Sequence, residues 1–289
     1  MLNRICNTIL PTVFGCIALM VLYGIVRMFA ADRFRIPTES MTPTLIPGDN
    51  VLVDKTLIGA RIYTDFGFTK DGVRLRSVRM RGRRKIRHND IVIFNRANHW
   101  HAIKFIINNV YCKRCVGLPG DTVSVVGGHY VNNNYEGVLG VEERQRRLAA
   151  MPDSILRKRR VLRASPRDKH VKWTIRDFGP MYVPRKGDLM EVTPETATVY
   201  KDILEWEIGK KLDIDWERNR VEAGGRPFVS HVFRHNYYFM AGDNVFDSDD
   251  SRYMGPVPEE YIVGIVSHII HSKNPETGAT RWDRVLRAL

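Results

Sequence analysis

One uncharged stretch near the amino terminus constrains this chain more than any other feature. Residues 5–26 read ICNTILPTVFGCIALMVLYGIV and contain no charged side chain. A helix of these 22 residues spans about 33 Å, enough to cross the hydrocarbon core of a bilayer. The stretch exceeds the apolar region of a cleavable signal peptide, and no small-x-small cleavage site follows it. The sequence therefore predicts one transmembrane helix, in an anchor over residues 1–31.

The charge of the chain is strongly positive, at +13, which suits an acidic partner. Residues 74–87 hold eight basic side chains in fourteen positions, but without the interleaved aromatic residues or motifs of nucleic-acid-binding proteins. Beside a membrane helix, anionic lipid headgroups are the nearer partner, and nucleic acid is not expected. One arginine precedes the predicted helix and three follow it, namely Arg27, Arg33 and Arg35. This asymmetry weakly favours a cytoplasmic main domain.

Short apolar runs bounded by turn residues dominate the rest of the chain. With 44% hydrophobic and 27% charged residues, the composition is that of a globular protein rather than a disordered one. The runs predict a mainly β fold with antiparallel sheets, in which strands include residues 51–55, 90–94, 101–107 and 261–270. A Gly-Gly pair at 127–128 marks a turn.

The middle of the chain has a different character. Thr193 can cap a helix whose first residue is Pro194, so residues 193–211 are predicted to be helical. The simplest division is a β-rich domain interrupted by an α+β insertion. The predicted bounds are 32–128 and 236–289 for the two parts of the β-rich domain and 129–235 for the insertion.

Two cysteines outside the predicted helix form a C-x-x-C pair, Cys112 and Cys115. They can be a redox pair whose thiol pKa values are lowered by Lys113 and Arg114, or two small apolar side chains on a strand. On an extended strand, residues three apart are separated by about 10 Å, whereas a disulfide needs less than about 7 Å. The apolar interpretation is therefore favoured.

Other catalytic patterns are missing from the sequence. It contains no G-x-S-x-G, H-E-x-x-H or G-x-x-x-x-G-K-[ST] motif. His99 and His101 can face one side of a strand as metal ligands do, but no acidic or cysteine partner lies near them in sequence. We interpret them as surface or core histidines, and no metal or organic cofactor is expected.

A proline-rich stretch follows the predicted membrane helix. Residues 34–49 read FRIPTESMTPTLIPGD, and prolines at 37, 43 and 47 make the backbone extended and stiff. Such a loop can be a binding groove that holds Ser40 as a nucleophile. It can also be a tight connector between the membrane anchor and a domain, and the stretch by itself favours the connector.

Three stretches that each carry a Gly-Asp turn change this balance: IPTESMTPTLIPGD (36–49), VYCKRCVGLPGD (110–121) and AGDNVFDSDDSRYMGPVP (241–258). In this order, after one membrane helix, they resemble the signature motifs of bacterial type I signal peptidase, also called leader peptidase. GDNVLVDK (48–55) resembles a further motif of that family. Its members are membrane-bound serine proteases with a Ser-Lys dyad. The resemblance covers roughly residues 34–55, 90–126 and 237–266.

The resemblance implies a role for each polar residue of these stretches. Ser40 matches the nucleophile and Lys113 the general base, although Lys113 considered alone would be an exposed strand lysine. A lysine acts as a base only when neutral, so its pKa must fall, as desolvation can achieve. Ser248 matches the serine that orients the lysine amine. The N–H of Ser40 and the hydroxyl of Thr38 match the groups that stabilise the oxyanion. Asp250 and Arg252 match a structural ion pair, networked with Arg114.

The resemblance also implies an extended substrate peptide bound by β-pairing, with small side chains at P1 and P3. Cleavage after Ala-x-Ala-like sites is expected, because bulky apolar walls make shallow pockets. The positions that match substrate contacts are Ile36, Pro37, Met41, Leu45, Tyr111 and Cys112. Three positions depart from the family pattern: Glu39 beside the nucleophile, and Val245 and Phe246 in place of polar residues.

The expected protein is a single-pass enzyme of the bacterial inner membrane, with its catalytic domain on the periplasmic side, against the charge asymmetry. The expected partners are signal-peptide-bearing precursors and anionic lipids, with the translocation machinery as a further candidate. A catalytically silent relative that only binds extended peptides is the alternative. A cytoplasmic self-cleaving repressor shares the dyad, but it has no membrane span and usually carries a DNA-binding module.

Overall fold

The computed structural model describes residues 2–97 and 102–289. The amino-terminal helix, α1, spans Leu2–Phe29. Within it, Leu10–Phe29 is long and apolar enough to cross a membrane, and no residue of its most apolar window is buried against the other described residues. An apolar helix with no protein cover suits a lipid environment. His99 and His101 lie outside the described residues.

The largest sheet has eight strands, and every pairing in it is antiparallel. In chain order its strands are β1 (Ala31–Arg35), β2 (Asp49–Asp54), β5 (Ile91–Asn95), β6 (Val110–Gly117), β14 (Tyr237–Ala241), β15 (Val257–Pro258), β16 (Ile262–Ser272) and β17 (Arg287–Ala288). In space they lie in the order β1-β2-β16-β5-β6-β14-β15, and β17 pairs with β16.

Smaller antiparallel sheets flank it. They pair β3 with β4, β8 and β9 with β7, β10 with β13, and β11 with β12. Their bounds are Arg61–Tyr63 (β3), Ser77–Arg79 (β4), Thr122–Val126 (β7), His129–Asn132 (β8), Phe178–Tyr182 (β9), Leu189–Glu191 (β10), Leu212–Asp215 (β11), Arg220–Ala223 (β12) and Ser230–Val232 (β13). The remaining helices are α2 (Glu142–Ala149), α3 (Asp153–Lys158), α4 (Pro194–Ile208) and α5 (Ser251–Met254), with short 3-10 turns at Glu259–Tyr261 and Trp282–Arg284.

The expected fold class is confirmed: the chain is mainly β, with antiparallel sheets, a few helices and one amino-terminal apolar helix. The division at residue 129 stays a prediction. Strand β7 lies before that boundary, yet it pairs with β8 and β9, which lie after it. The sheet of the insertion is therefore completed by a strand from the first part of the β-rich domain.

The predicted helix of the insertion is confirmed as α4. Thr193 caps it, with its side chain accepting a hydrogen bond from the backbone of Thr196. Gly209 ends the helix in the left-handed region, at φ 69°, which glycine adopts at little cost. The start of the helix is as predicted, whereas its end lies three residues before the predicted end at 211, because Gly209 terminates it.

The strand predicted at residues 101–107 is wrong over its described part, 102–107. Phe105 exchanges two backbone hydrogen bonds with Val73, but this is an isolated bridge rather than a ladder. Val73 lies in the loop between β3 and β4 and has no strand neighbours to extend the pairing. The apolar run is instead explained by burial, since Ile103 and Phe105 are both in the main core.

A second, smaller core fixes the proline-rich loop. Ile36, Met41 and Leu45 are buried there against side chains of β2, β5 and β16. The ends of the loop are also joined, because Ile36 N donates to Asp49 O and Gly48 N donates to Ile36 O. The loop is therefore anchored through its apolar residues, which leaves Ser40 at the surface between them.

A buried ion pair ties the carboxyl-terminal segment to this loop. Arg284 donates to both carboxylate oxygens of Asp49, at 3.0 and 2.6 Å, and its Nη2 also donates to the Thr44 carbonyl at 2.9 Å. Burial favours the neutral acid, but the hydrogen bonds from Arg284 and the Ile46 amide hold the pKa of Asp49 below its ordinary value. The last residues of the chain thus hold the base of the loop that carries Ser40.

Replacing Arg284 by alanine should destabilise the fold, because Asp49 would keep a buried charge without its cation. Breaking such a pair typically costs about 3–5 kcal/mol of unfolding free energy. Because the pKa of Asp49 is lowered, the loss should be complete above about pH 4 and shrink as the pH falls. Urea unfolding in detergent measures it, with exposed Arg287→Ala as the control. Equal unfolding free energies for the two variants would contradict this account.

Candidate active site

Ser40, in the proline-rich loop, contacts Lys113 of β6. Lys113 lies on β6, where it pairs with Val92 of β5, and only 2% of it is exposed. Its Nζ donates a hydrogen bond of 2.6 Å to Ser40 Oγ. The structure therefore brings together two residues that are 73 positions apart in sequence.

Burial has the largest effect on the pKa of the Lys113 amine. Loss of solvation lowers the pKa of Lys113 below its ordinary value of 10.5. The carboxylates of Asp250 and Asp249 act in the opposite direction, and Arg252 adds to the lowering. A lowered pKa increases the fraction of neutral amine, which is the form that can accept a proton.

The residues predicted to bind an oxyanion lie beside the dyad. The hydroxyl of Thr38 is 3.4 Å from Ser40 Oγ. The carbonyl oxygen of Ser40 accepts a hydrogen bond from the Asn244 amide at 3.0 Å, which fixes the backbone of Ser40. Asn244 was not singled out in the sequence, although it belongs to the third Gly-Asp stretch.

Ser248 is buried next to the dyad, across Gly242. A Cβ placed on Gly242 would overlap Ser248 Oγ and would lie 2.6 Å from the carbonyl oxygen of Ser40. Ser248 Oγ has no hydrogen-bond partner among the described residues. A buried hydroxyl without a hydrogen-bond partner costs folding free energy, so Ser248 Oγ is available to hydrogen-bond a group that moves or reacts nearby. Its orienting role towards Lys113 stays a prediction.

The ion pairs differ in part from the prediction. Asp250 and Arg252 form a fully buried pair at 2.8 Å, and Arg252 holds the pKa of Asp250 below its ordinary value despite burial. Arg114 is not part of this pair. It binds both oxygens of Asp243 at 2.7 Å, because it points to the opposite side of β6 from Lys113. The resemblance had implied a network with Asp250 and Arg252, whereas the fold places Asp243 beside Arg114.

A cleft of about 410 Å³ contains the dyad. Of the six predicted substrate contacts, Leu45 does not line it, because Leu45 is fully buried in the second core. Sequence reasoning missed Val110, Asp247 and Asp249, which also line the cleft. The residues that line it are Ile36, Pro37, Thr38, Glu39, Ser40, Met41, Val110, Tyr111, Cys112, Lys113, Asp247 and Asp249.

A polar network crosses one wall of the cleft. Arg96 donates to the Tyr111 hydroxyl at 2.8 Å and forms an ion pair with Asp249 at 2.8 Å. The amine of Lys113 lies 5.7 Å from the centre of the Tyr111 ring. Asp249 belongs to the third Gly-Asp stretch, but no sequence signal identified Arg96.

The two cysteines of β6 behave as apolar side chains. Cys112 lines the cleft and contacts the second core, whereas Cys115 is buried in the main core on the other side of the sheet. Both thiols are free. Burial raises the pKa of Cys112 to about 12 and also raises that of Cys115, so the reactive thiolate is disfavoured.

A serine hydroxyl hydrogen-bonded to a buried lysine, in an open cleft, is an arrangement suited to a serine hydrolase with a lysine base. Comparison with known proteins agrees. The family model described as "Signal peptidase, peptidase S26" matches residues 8–271. The chain therefore belongs to this signal peptidase family, and its enzyme class is serine endopeptidase.

Individual relatives cover most of the chain. A signal peptidase I from Buchnera aphidicola subsp. Baizongia pistaciae is 26% identical over 281 residues, 92% of this chain and 79% of that protein. One from Pseudomonas fluorescens is 26% identical over 83% of this chain and 64% of that protein. A solved signal peptidase I from Enterococcus faecalis V583 is 20% identical and covers 63% of this chain and 96% of its own, with a TM-score of 0.27.

Replacing Gly242 by alanine should abolish most peptidase activity. The added methyl group would push apart Ser248 and the backbone of Ser40, and displacements of about 1 Å at a reacting centre can cost about 100-fold in rate. Cleavage kinetics measure the effect. Gly67→Ala is the control, because its Cβ would meet only the flexible side chain of Asp65, at 3.3 Å. Activity close to wild type in Gly242→Ala would contradict the packing described here.

Proposed function

We propose that this enzyme removes signal peptides from exported precursor proteins, by means of an acyl-enzyme on Ser40 with Lys113 as general base. The observation that carries the proposal is the 2.6 Å hydrogen bond between Lys113 Nζ and Ser40 Oγ, with a lysine that is almost completely buried. The alternative, a silent relative that only captures peptides, gives no reason to keep a desolvated lysine against a serine hydroxyl.

In the first half of the reaction, Ser40 Oγ attacks the carbonyl carbon of the scissile bond while its proton passes to the neutral amine of Lys113. The resulting oxyanion is stabilised by the N–H of Ser40 and the hydroxyl of Thr38. When the carbon–nitrogen bond breaks, the Lys113 ammonium returns the proton to the leaving amine. That amine is the new amino terminus of the mature protein, and the signal peptide remains as an ester on Ser40.

In the second half, water attacks the ester carbonyl and Lys113 takes a proton from it. Collapse of the second intermediate breaks the bond to Ser40 Oγ, which receives that proton from Lys113. The products are a free signal-peptide carboxylate and the regenerated serine. The unpartnered hydroxyl of Ser248 can hydrogen-bond the ammonium that forms in both halves, which supports its orienting role.

The backbone of β6 supports binding of an extended substrate. Its first residues pair with β5 on one side, whereas β14 pairs with β6 only from Arg114 onward. Among residues 2–97 and 102–289, no strand pairs with the other edge of residues 110–113, and this edge borders the cleft. A peptide can add there as a further strand, which gives affinity that does not depend on sequence.

The walls of the cleft support a preference for small side chains. Ile36 and Met41 are held rigidly in the second core, so the space beside Ser40 cannot widen without disturbing that core. Alanine fits such shallow pockets and larger residues do not. Cleavage after Ala-x-Ala-like sites follows from this, with Pro37, Tyr111 and Cys112 as further walls.

Substitution of either dyad residue should abolish cleavage of a purified precursor that carries an Ala-x-Ala site. Ser40→Ala removes the nucleophile, and Lys113→Met keeps the apolar bulk of the side chain while removing the base. In the wild type, activity should rise with pH as Lys113 loses its proton, at a pH below the ordinary lysine value of 10.5. The assay is precursor cleavage in detergent and lipid, with the cut position read by mass spectrometry.

Lys55→Met is the matched control for the lysine, because Lys55 is also largely buried but pairs with Asp32, away from the cleft. It should keep its activity. Activity retained in Ser40→Ala or Lys113→Met would refute the dyad. A cut elsewhere than after the second alanine would refute the proposed specificity.

The protein is proposed to cross the inner membrane once, with its catalytic domain on the periplasmic side and anionic lipids as partners. A cavity of about 610 Å³ lies between Met20 and Tyr23 of α1 and the side chains of Phe66 and Ile107. Phe66 is 74% exposed. If α1 spans the bilayer, these apolar side chains lie at the depth of the interface, where aromatic residues are favoured.

The charge asymmetry opposes this orientation only weakly. Arg27 is bound to Asp32 at 2.8 Å, so its charge is already partnered within the protein. Precursors also expose their cleavage sites on the exported side, which supports a periplasmic domain. The exposed basic side chains of Lys70, Arg74 and Arg76, in the loop that carries Phe66, are suited to anionic headgroups. The translocation machinery stays a predicted partner.

Protease added to intact spheroplasts should digest the catalytic domain, because the proposed orientation exposes it on the outside. Immunoblotting with antibodies to the carboxyl-terminal residues measures the loss, and a cytoplasmic protein in the same sample controls for lysis. If digestion occurred only after the membrane was opened, the domain would be cytoplasmic, as the flanking arginines alone suggest.

A further inference from the structure

The segment of residues 242–252, which carries Ser248, Asp250 and Arg252, is packed against the predicted insertion of residues 129–235. Its two apolar residues, Val245 and Phe246, are the positions where polar residues are expected from the family pattern. They are buried in a separate small core with three side chains of the insertion. Those three side chains, all fully buried, are Leu148 of α2, Leu156 of α3 and Ile175.

Polar contacts hold the same segment from the same side. Ser165 N donates to the carbonyl oxygen of Arg252 at 2.7 Å, and the Tyr253 hydroxyl donates to the carbonyl oxygen of Val161 at 2.6 Å. The guanidinium groups of Arg147 and Arg159 lie over the Phe246 ring, at 5.1 and 5.9 Å from its centre. Residues 142–165 thus contact the segment through apolar, hydrogen-bond and cation–π interactions.

The opposite side of the segment contacts the dyad. The Asn244 amide holds the Ser40 carbonyl, and Asp250 accepts from the Gly242 amide at 3.0 Å. Arg252 then links the two sides, because its Nη2 donates to the Val245 carbonyl at 2.7 Å while it pairs with Asp250. A displacement of Val245 would therefore reach Gly242 through three hydrogen bonds. It would also reach Asn244, whose amide holds the Ser40 carbonyl, directly through the backbone.

We propose that residues 142–165 of the insertion act as a positioning element for the catalytic dyad, with Leu156 and Phe246 as positioning residues. The inference rests on the proposed function of Ser40 and Lys113. By pressing the segment 242–252 onto the dyad, these residues keep Ser248 against Gly242 and exclude water from the Lys113 amine. The apolar side chains of Val245 and Phe246 form the contact through which the two parts of the chain are coupled.

The effect can be read from the charge state of Lys113. Three groups face its amine from β6 and the proline-rich loop: the Tyr111 ring, the Cys112 thiol and the Ser40 hydroxyl. Asp249, Asp250 and Arg252 face it from the third Gly-Asp stretch. If the segment loosens, water enters and desolvation weakens, so the pKa of Lys113 rises towards its ordinary value. The acidic limb of the pH–activity profile, where activity rises as Lys113 loses its proton, then moves to higher pH.

The test compares Leu156→Ala with Leu212→Ala in the full-length protein. Both truncate a buried leucine of the insertion, but Leu212 packs in the main core beside α4 and not against residues 245–246. For Leu156→Ala we expect kcat to fall by about 10- to 100-fold, with little change in KM, and the acidic limb to shift to higher pH. Leu212→Ala should reduce the folded fraction without moving the limb.

Two further variants keep the proposal falsifiable if Leu156→Ala fails to fold. Phe246→Ala should shift the limb in the same direction, and Phe246→Leu should restore most of the wild-type profile because it refills the small core. Tyr253→Phe removes only the hydroxyl that binds Val161, and it should produce a smaller shift in the same direction.

If the acidic limb stays at the wild-type pH in folded Leu156→Ala and Phe246→Ala, the positioning role is wrong. An equal shift of the limb in Leu212→Ala would also overturn it. Failure of the proposed function itself would look different, since wild type would then be inactive or Ser40→Ala would be active.

Discussion

The desolvation of one lysine is the constraint on which the rest of the structure depends. A lysine amine exposed to water is protonated at neutral pH and cannot take a proton from a serine. Lys113 is kept from water by the cleft wall and by the loops that meet around it, and this burial is what lowers its pKa. Proximity to Ser40 is necessary for chemistry, but without desolvation the hydrogen bond between them would join a serine to a cation.

Three buried ion pairs hold the loops that surround this lysine. The first joins the end of the proline-rich loop to the carboxyl-terminal segment, the second joins β6 to the start of the third Gly-Asp stretch, and the third lies within that stretch. Buried pairs are weak evidence for net stability, since desolvation offsets much of their attraction, but their directional hydrogen bonds select one arrangement. The pairs are Asp49–Arg284, Asp243–Arg114 and Asp250–Arg252.

Prediction from sequence succeeded where the signal is local. The cap at Thr193 starts α4 as expected, and residues 262–270 of the predicted strand 261–270 lie within β16, because short-range sterics and hydrogen bonds favour these elements. It failed where the signal is only apolarity. Ile103 and Phe105 are buried although residues 102–107 form no strand, and Leu45 is a core residue rather than part of the cleft, because burial does not specify which partner covers a side chain.

The sequence by itself determined the apolar helix, the mainly β character and the residue types available for catalysis, since these follow from composition and from patterns within a few residues. Only the tertiary structure decided that Lys113 meets Ser40 across 73 positions, that Arg114 binds Asp243, and that the insertion packs against Phe246. The physical reason is that contact distance and desolvation depend on all atoms around a group. In a sheet of long-range pairings, most of those atoms come from distant parts of the chain.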